Sequence, residues 1–307
     1  MNDPSSDAGP TFLVIGAARS GTTLLCHVLN RHPDVFLTDP KEPHFLAFAG
    51  QRLDFQGPGD ADSINRFAVT DEARWRALFE PGAGHRQRGE GSVSTLYHPE
   101  AAIENIRRCC PEVKLIALLR DPVERAFSAY SYLVGRGWET ESFERALELE
   151  EQRRASGWHH LWHYTRMGFY TRQLAPFIDA FGRDRVLVIG YEDLVAQPAS
   201  GLSEVFAFLG LDQHGIEDLG AEVNVSGRPQ SRALTGAMNW LRRHEGPRAL
   251  VRTVVPFRLR EWVRRTNLER MDLPGETRPM LDALYAPERR ELAELLGEDA
   301  PSWVHRP

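Results

Sequence analysis

A strand, a glycine-rich loop and a helix follow one another near the N-terminus, and this feature constrains the fold more than any other. Residues 11–16 are a short β-branched and apolar run that ends at glycine, which predicts a buried strand. Residues 22–30 have a helical pattern, and residues 16–23 between them read Gly-Ala-Ala-Arg-Ser-Gly-Thr-Thr. In this context the backbone N–H groups and the start of the helix bind an anion. The segment therefore predicts a site for a phosphate-like group.

The loop departs from the pattern of ATPases and kinases. Gly16 and Gly21 have the spacing of a Walker A loop, but Thr22 stands where that motif requires lysine. The cation of the loop is instead Arg19. The alternative interpretation is a tight strand–helix turn in which these side chains bind nothing. The candidate binding residues of the loop are Arg19, Ser20, Gly21, Thr22 and Thr23.

Strands and helices alternate along the rest of the chain. Further strands are predicted over 35–37, 113–119 and 185–191. Helices are predicted over 22–30, 71–79, 99–109, 166–181, 198–209 and 278–296 and after Asp121, with a glycine-rich segment at 82–91. This alternation predicts an α/β protein with a mostly parallel central sheet flanked by helices, P-loop-like, with helical C-terminal additions. No linker divides the chain, so we expect a disordered N-terminus over 1–10 and a single domain over 11–307.

Composition excludes several classes of protein. Of the 307 residues 42% are hydrophobic, which is enough for a sizeable core, and the three cysteines form no disulfide framework. No apolar run approaches the ~18 residues of a membrane helix. The first ten residues lack the basic start and apolar stretch of a secretory signal. We therefore expect a cytoplasmic protein.

The charge is distributed unevenly. The formal net charge is −6, but residues 226–270 contain 11 Arg and 3 Glu, a local balance of +8. Such a stretch is typical of a segment that binds a phosphate-rich ligand or an anionic surface. The alternative interpretation is a solvated helical face. Residues 251–265 are basic and amphipathic, so they are a candidate for peripheral membrane contact or a plain surface helix. No nucleic acid is predicted as a partner, and the sequence leaves the oligomeric state open.

Four further motifs follow the loop in a fixed order. They are Pro-Lys-Glu-Pro-His-Phe at 40–45, Leu-Arg-Asp-Pro-Val-Glu-Arg-Ala-Phe-Ser at 119–128, Tyr-Glu-Asp-Leu at 191–194, and the segment 224–232 that begins Asn-Val-Ser-Gly. Together with the loop they resemble the sulfotransferases that use 3′-phosphoadenosine 5′-phosphosulfate (PAPS), especially bacterial and glycosaminoglycan-type members. The resemblance covers most of residues 12–234 and implies the P-loop-like sulfotransferase fold.

The resemblance implies a catalytic role for three residues. Glu42 would be the general base that removes the proton of the acceptor. His44 would orient Glu42 or the acceptor, and Arg19 would stabilise the charge that develops on the 5′-phosphate. Arginine is a poor proton donor, so its contribution would be electrostatic. Without the resemblance, Glu42 is a surface glutamate in a turn, and Lys41 is expected to be a surface partner rather than a catalytic cation.

The resemblance also implies how the nucleotide is bound. Arg120 and Ser128 would hold the 3′-phosphate at the carboxyl edge of the sheet. Their alternative is a helix-start ion pair of Arg120 with Asp121 or Glu124 beside an ordinary helical serine. Two arginines of the basic stretch, Arg228 and Arg232, are further candidate contacts to the nucleotide.

The implied reaction is transfer of a sulfuryl group from PAPS to a hydroxyl, or less readily an amine, of a small-molecule, lipid or saccharide acceptor. Adenosine 3′,5′-bisphosphate is the product, and no metal is required. His159, His160 and His163 could bind a cation, but an amphipathic helix turn near the acceptor pocket or the surface is the preferred interpretation. Relatives that modify glycosaminoglycans commonly have lysine at the position of Gly91, so its absence argues against a heparan-like acceptor. The alternative functions are a P-loop kinase and a non-catalytic nucleotide-binding protein.

Overall fold

Five parallel strands form the central sheet of the computed structural model, which describes residues 9–213, 219, 228–229, 268–269 and 271–305. The strands are β1 (Phe12–Gly16), β2 (Val35–Leu37), β3 (Gln87–Gly91), β4 (Lys114–Leu119) and β5 (Val186–Gly190). Their order across the sheet is β2-β3-β1-β4-β5, so β1 lies in the middle. A separate antiparallel pair joins β6 (Arg228–Pro229) to β7 (Leu268–Glu269). The predicted α/β class with a parallel sheet is confirmed.

Helices cover both faces of the sheet. The first six are α1 (Thr22–Leu29), α2 (Phe45–Phe48), α3 (Ile64–Phe67), α4 (Glu72–Ala77), α5 (Val93–Tyr97) and α6 (Pro99–Cys109). The next six are α7 (Pro122–Gly135), α8 (Phe143–Glu148), α9 (Glu150–Ala155), α10 (Thr171–Phe181), α11 (Tyr191–Ala196) and α12 (Pro198–Leu209). The last described helix is α13 (Thr277–Leu296).

Alternate residues of the strands enter two different hydrophobic layers, because successive side chains of a strand point to opposite faces. Leu13 and Ile15 of β1 pack into a layer with residues of α5, α6 and α10. Phe12 and Val14 pack into the opposite layer with residues of α1 and α12. All five residues of β1 are buried, which explains why the strand is a continuous apolar run.

One strand was not predicted. The glycine-rich segment that was predicted to separate two helices contains β3, which pairs with β1 and β2. Glycine is disfavoured in strands, so its sequence signal was weak. Packing requires it here: a Cβ at Gly89 would lie 2.3 Å from the ring of Phe12. The ring of Phe12 on the neighbouring strand therefore requires glycine at position 89, and this glycine is what weakens the strand signal in the sequence.

The helix predicted over 166–181 is interrupted. Residues Arg166–Gly168 form a short 3₁₀ turn, and α10 begins only at Thr171. The backbone N–H and the hydroxyl of Thr171 donate to Glu288 Oε1 at 2.7 and 2.9 Å. A carboxylate from α13 thus accepts hydrogen bonds from the donors at the start of α10. Local sequence does not reveal this long-range contact.

The carboxyl ends of the central strands meet at one edge of the sheet. The loop after β1 leads into α1, and the residues after β3 lead into α5. Arg120 and Asp121 connect β4 to α7, and β5 leads directly into α11. Open α/β sheets bind ligands at this edge.

Candidate active site

Two residues of the glycine-rich loop have positive φ angles. Arg19 has φ of 68° and Gly21 has φ of 87°. A Cβ at Gly21 would lie 2.6 Å from Tyr191 Cδ2, so both the backbone conformation and the neighbouring ring require glycine there. Tyr191 follows β5, so its contact with Gly21 joins the loop after β1 to the end of β5.

A cavity opens between this loop, the start of α7 and Tyr191. Three separate segments of the chain contribute to it, and most of the predicted nucleotide-binding residues line it. The lining residues are Arg19, Gly21, Thr22, Thr23, Leu24, Arg120, Ser128 and Tyr191. Ser20 is fully buried instead, and its side chain is not part of this lining.

The guanidinium of Arg19 reaches from the loop to α7. Its Nε donates to Ser128 Oγ at 3.4 Å, and its guanidinium carbon lies 4.6 Å from the ring centroid of Tyr132. Burial lowers the pKa of Arg19 to about 10, and nearby positive charges, among them Arg120 and Arg136, act in the same direction. The group stays protonated at neutral pH, and an anion beside it would relieve this unfavourable environment.

Arg120 brings a second positive charge to the same cavity. It donates to the carbonyl oxygen of Arg19 at 3.4 Å and lies 5.1 Å from the ring centroid of Tyr191. It also forms long ion pairs with Glu124 at 3.8 Å and with Glu192 at 3.9 Å. Its buried Nε makes no hydrogen bond to any described residue. These contacts hold the guanidinium at the cavity, which it lines together with Arg19.

Of the two carboxylates considered as ion-pair partners of Arg120, Glu124 pairs with it, at 3.8 Å, and Asp121 does not. Its carboxylate accepts hydrogen bonds from the backbone N–H groups of Val123 at 2.9 Å and Glu124 at 3.3 Å, which caps the N-terminus of α7. Its other oxygen lies 3.3 Å from the guanidinium of Arg289 on α13. These contacts fix the start of α7 and thereby direct Ser128, two turns into the helix, toward the cavity.

Glu42, in the turn between β2 and α2, lies beside the carboxyl end of β3. Its backbone N–H donates to the carbonyl oxygen of Gly91 at 3.2 Å, and its Oε2 accepts from the N–H of Val93 at 2.9 Å. Its Oε1 forms an ion pair with Lys41. Burial raises the pKa of the Glu42 carboxyl, but the charge and hydrogen bond of Lys41, the nearby His44 and the N–H of Val93 together lower it below its ordinary value. Lys41, expected as a surface partner, is half-buried, with 25% of its side chain exposed.

His44 lies beside Glu42 in a neutral form. Its backbone N–H donates to Ser92 Oγ at 3.0 Å, and a hydrogen bond of 2.8 Å joins its Nδ1 to Ser94 Oγ. Burial lowers the pKa of His44 to about 4, so the imidazole is uncharged at neutral pH. Both Glu42 and His44 have positive φ, 66° and 63°, which directs the two side chains of this turn.

Glu42 does not line the cavity around Arg19 and Arg120, but it lies at the same edge of the sheet. Gly91, which accepts the hydrogen bond of Glu42, pairs with Val14 of β1. A Cβ at Gly91 would lie 2.8 Å from Cys26 Sγ on α1, the helix whose first residues line the cavity. The turn around Glu42 and the cavity are thus held by adjacent strands and one shared helix.

Of the histidines at 159, 160 and 163, the first and last have hydrogen-bond partners, and His160 packs against the rings of Phe48 and Tyr97. His159 Nδ1 lies 2.7 Å from Asp60, and His163 Nδ1 lies 2.6 Å from the Tyr97 hydroxyl. No group of three or more metal-ligating side chains stands together among the residues that the structure describes. Likewise, none of the described helices is long and apolar enough to cross a membrane.

Two predicted nucleotide contacts cannot be placed. Arg232 lies outside the described residues, as does most of the basic stretch 226–270, including 251–265. Arg228 is described only through the backbone of β6.

Sequence reasoning missed several residues of the site. Tyr132 and Tyr191 contact the two arginines of the cavity, and Glu90, Ser92 and Lys41 surround the turn of Glu42. Two signals were available: Tyr132 is four residues after Ser128 on one helix face, and Tyr191 directly follows a strand end. Glu90 was missed together with its strand.

Comparisons with known proteins agree with this geometry. The sequence profile described as Sulfotransferase family matches residues 10–215. The chain is 28% identical over 210 residues to heparan sulfate glucosamine 3-O-sulfotransferase 3A1 of Mus musculus, covering 68% of this chain and 48% of that protein. It is 27% identical over 246 residues to carbohydrate sulfotransferase 15 of Mus musculus, covering 66% of this chain and 44% of that protein. The chain thus spans about half the length of these relatives.

A solved structure supports the same assignment. The sulfotransferase from Alicyclobacillus acidocaldarius superposes with a TM-score of 0.76 at 29% identity, over 97% of this chain and 99% of the other. The agreement extends beyond the motifs to almost the whole described fold. The family and the enzyme class predicted from the sequence are confirmed: this chain belongs to the sulfotransferase family.

Proposed function

We propose that this protein transfers the sulfuryl group of PAPS to a hydroxyl group of an acceptor. The observation that carries the proposal is the convergence of Arg19, Arg120 and Ser128 on one cavity. Two arginines line it, and the ion pairs of Arg120 with Glu124 and Glu192 are long, 3.8 and 3.9 Å. Such a site favours a ligand with several negative charges.

The side chains of the cavity fit a nucleotide that carries phosphate at both ends. Arg120 and the half-buried Ser128 bring a guanidinium and a hydroxyl to the same cavity, and these suit the 3′-phosphate. Arg19, the backbone of Gly21 and the hydroxyls of Thr22 and Thr23 suit the 5′-phosphosulfate at the start of α1. Arg228 and Arg232 remain proposed contacts.

When bound, PAPS supplies a sulfuryl group whose bond to the 5′-phosphate oxygen breaks as the acceptor oxygen bonds to sulfur. Glu42 takes the proton of the attacking hydroxyl, since its carboxylate is ionised and hydrogen-bonded only through Val93 and Lys41 among the contacts described. The neutral imidazole of His44 orients Glu42 or the acceptor. Arg19 stabilises the charge left on the phosphate and donates no proton.

The acceptor is proposed from the relatives. Those that match are named for heparan sulfate glucosamine and for carbohydrate, which makes a saccharide hydroxyl the first class to test. Small-molecule and lipid hydroxyls are the other classes. A heparan-like acceptor is less favoured, because position 91 is glycine and lacks the lysine common in relatives that modify glycosaminoglycans.

Nucleotide binding tests this proposal directly. Adenosine 3′,5′-bisphosphate should raise the melting temperature of the protein, and Arg120→Ala should abolish most of that rise because it removes a charge-assisted contact. Arg145→Ala is the matched control, since Arg145 is exposed on α8 and pairs with Glu148. Equal stabilisation by ATP with Mg²⁺, unaffected by Arg120→Ala, would overturn the proposal.

A further inference from the structure

We propose that Lys41 is a positioning residue that keeps Glu42 ionised and oriented for proton abstraction, and that glycine at position 91 provides the space for it. The inference rests on the proposed function of Glu42 as the general base. Lys41 is one of only two lysines in the chain. It has no role in the nucleotide cavity, whose lining does not include it.

The contacts of Glu42 divide its two oxygens between different elements. Oε2 accepts from the N–H of Val93 at the start of α5, and Oε1 pairs with the ammonium of Lys41. About a quarter of each side chain is exposed, 25% for Lys41 and 27% for Glu42. The carboxylate is thus fixed from two directions and still reachable by an acceptor.

Gly91 determines the path of the lysine side chain. A Cβ at position 91 would lie 3.5 Å from Lys41 Cε and 2.8 Å from Cys26 Sγ. The second distance is too short for a real side chain, so Cys26 is what requires glycine here. The first is an ordinary van der Waals distance and shows that the end of Lys41 lies beside the glycine. A longer residue at 91 would therefore compete with Lys41 for the space beside Glu42.

The surrounding charges explain why Glu42 needs this cation. Glu90 of β3 is 1% exposed, and burial raises its pKa to about 7 even though the Ser92 hydroxyl donates to it at 2.6 Å. From α1, Cys26 presents a neutral thiol, because burial raises its pKa to about 11. His44, at the start of α2, is neutral. Lys41 is therefore the cation that faces Glu42 and Glu90 among the groups described around this turn.

Removing the ammonium would leave two neighbouring carboxyl groups in a poorly solvated site. Burial would then favour protonation of Glu42, with repulsion from Glu90 added only above the pH at which Glu90 itself takes up a proton. A protonated carboxyl cannot act as a base. Lys41 thus extends the activity of Glu42 to lower pH. It acts through Glu42 and takes up no proton itself.

The test compares the wild-type protein with Lys41→Met, which removes the charge but keeps much of the length, and Lys41→Arg, which restores the charge. The ionisation of Glu42 is followed by infrared difference spectra between each protein and its Glu42→Gln counterpart across pH. In wild type the Glu42 carboxylate band should persist below the ordinary titration range of glutamate. In Lys41→Met it should disappear at higher pH, and Lys41→Arg should reverse the change. An unchanged titration in Lys41→Met would overturn the inference.

Activity gives a second measurement. At about pH 6, Lys41→Met should lower kcat for transfer from labelled PAPS to acceptors of a metabolite extract by about tenfold, with a smaller loss at about pH 9. Its affinity for adenosine 3′,5′-bisphosphate should not change, whereas a general structural defect would weaken both. If wild type transfers no sulfuryl group, the proposed function fails, while the infrared titration still decides the role of Lys41.

Discussion

Arg19 has three structural roles in the site. It belongs to a loop that bends through positive φ, it contacts Ser128 and Tyr132 of α7, and it lines the proposed nucleotide site. A guanidinium suits this position because it stacks on an aromatic ring while donating in its own plane. A lysine would carry the same charge without the planar stacking.

We predict that Arg19→Ala lowers kcat of sulfuryl transfer by about 10²–10³-fold, because it removes a preorganised charge beside the leaving phosphate. Arg19→Lys should retain part of the rate, since the charge remains but the contact with Tyr132 is lost. Steady-state kinetics with labelled PAPS measure both. Arg74→Ala, on the exposed side of α4, is the control and should leave the rate unchanged. A wild-type rate in Arg19→Ala would contradict the assignment.

The ordered motifs were sufficient to predict that Arg19, Arg120 and Ser128 lie around one cavity. They lie after strand ends or in the first turns of a helix, and parallel topology brings such segments to one edge. The partners of Glu42 were not predictable in the same way. Lys41 and Glu90 lie near it at a point where Gly91 packs closely against Cys26 of α1. Such packing relationships are not written in local sequence.

The helix α7 links the nucleotide site to the C-terminal part of the described fold. Asp121 caps it and also pairs with Arg289 of α13, and both side chains are nearly inaccessible, 3% and 6% exposed. The Pro122 that follows fits the first turn of a helix. This start was predicted from sequence because capping depends on neighbouring residues. The interruption before α10 was not, because its stabilising carboxylate comes from α13.

We predict that Asp121→Ala lowers the free energy of unfolding by about 2–3 kcal/mol, since it removes a helix cap and leaves Arg289 with fewer buried partners. Urea denaturation measures the change. Asp121→Asn keeps a capping oxygen and should lose less. Because α7 carries Ser128, the alanine variant should also bind adenosine 3′,5′-bisphosphate more weakly. Equal stability of Asp121→Ala and wild type would show that the start of α7 is held in another way.

A group of buried imidazoles makes the whole protein sensitive to acid. Burial lowers the pKa of His44, His98 and His163 to about 4 and that of His160 well below its ordinary value. In the unfolded chain these groups take up protons near pH 6.5, which the folded state does not accept. Their contribution to stability is therefore complete above pH 6.5 and is lost as the pH falls toward 4.

We predict that the free energy of unfolding, measured by urea denaturation, falls as the pH is lowered from 7.5 to about 5, by up to about 1.4 kcal/mol per pH unit for each imidazole. Carboxyl groups with a raised pKa act in the opposite direction: Glu90, between its ordinary pKa of 4.5 and its raised value of about 7, and Glu192, Glu204 and Glu288. Of these only Glu90 is shifted as far as the imidazoles, so the imidazoles should prevail. His160→Phe should reduce the slope, because His160 is only 2% exposed. His27→Phe, on an exposed position of α1, should not. A free energy of unfolding independent of pH would contradict this account.

The central claim concerns a carboxylate that works beside a nucleotide held in the Arg19 and Arg120 cavity. Transfer of label from sulfur-labelled PAPS to an acceptor, measured in wild type and Glu42→Gln together with binding of adenosine 3′,5′-bisphosphate, tests it most directly. We predict that Glu42→Gln binds the nucleotide as wild type does and loses about 10²–10⁴-fold in kcat. Undiminished transfer by Glu42→Gln, or transfer of label from γ-labelled ATP with Mg²⁺ instead of from PAPS, would contradict the account.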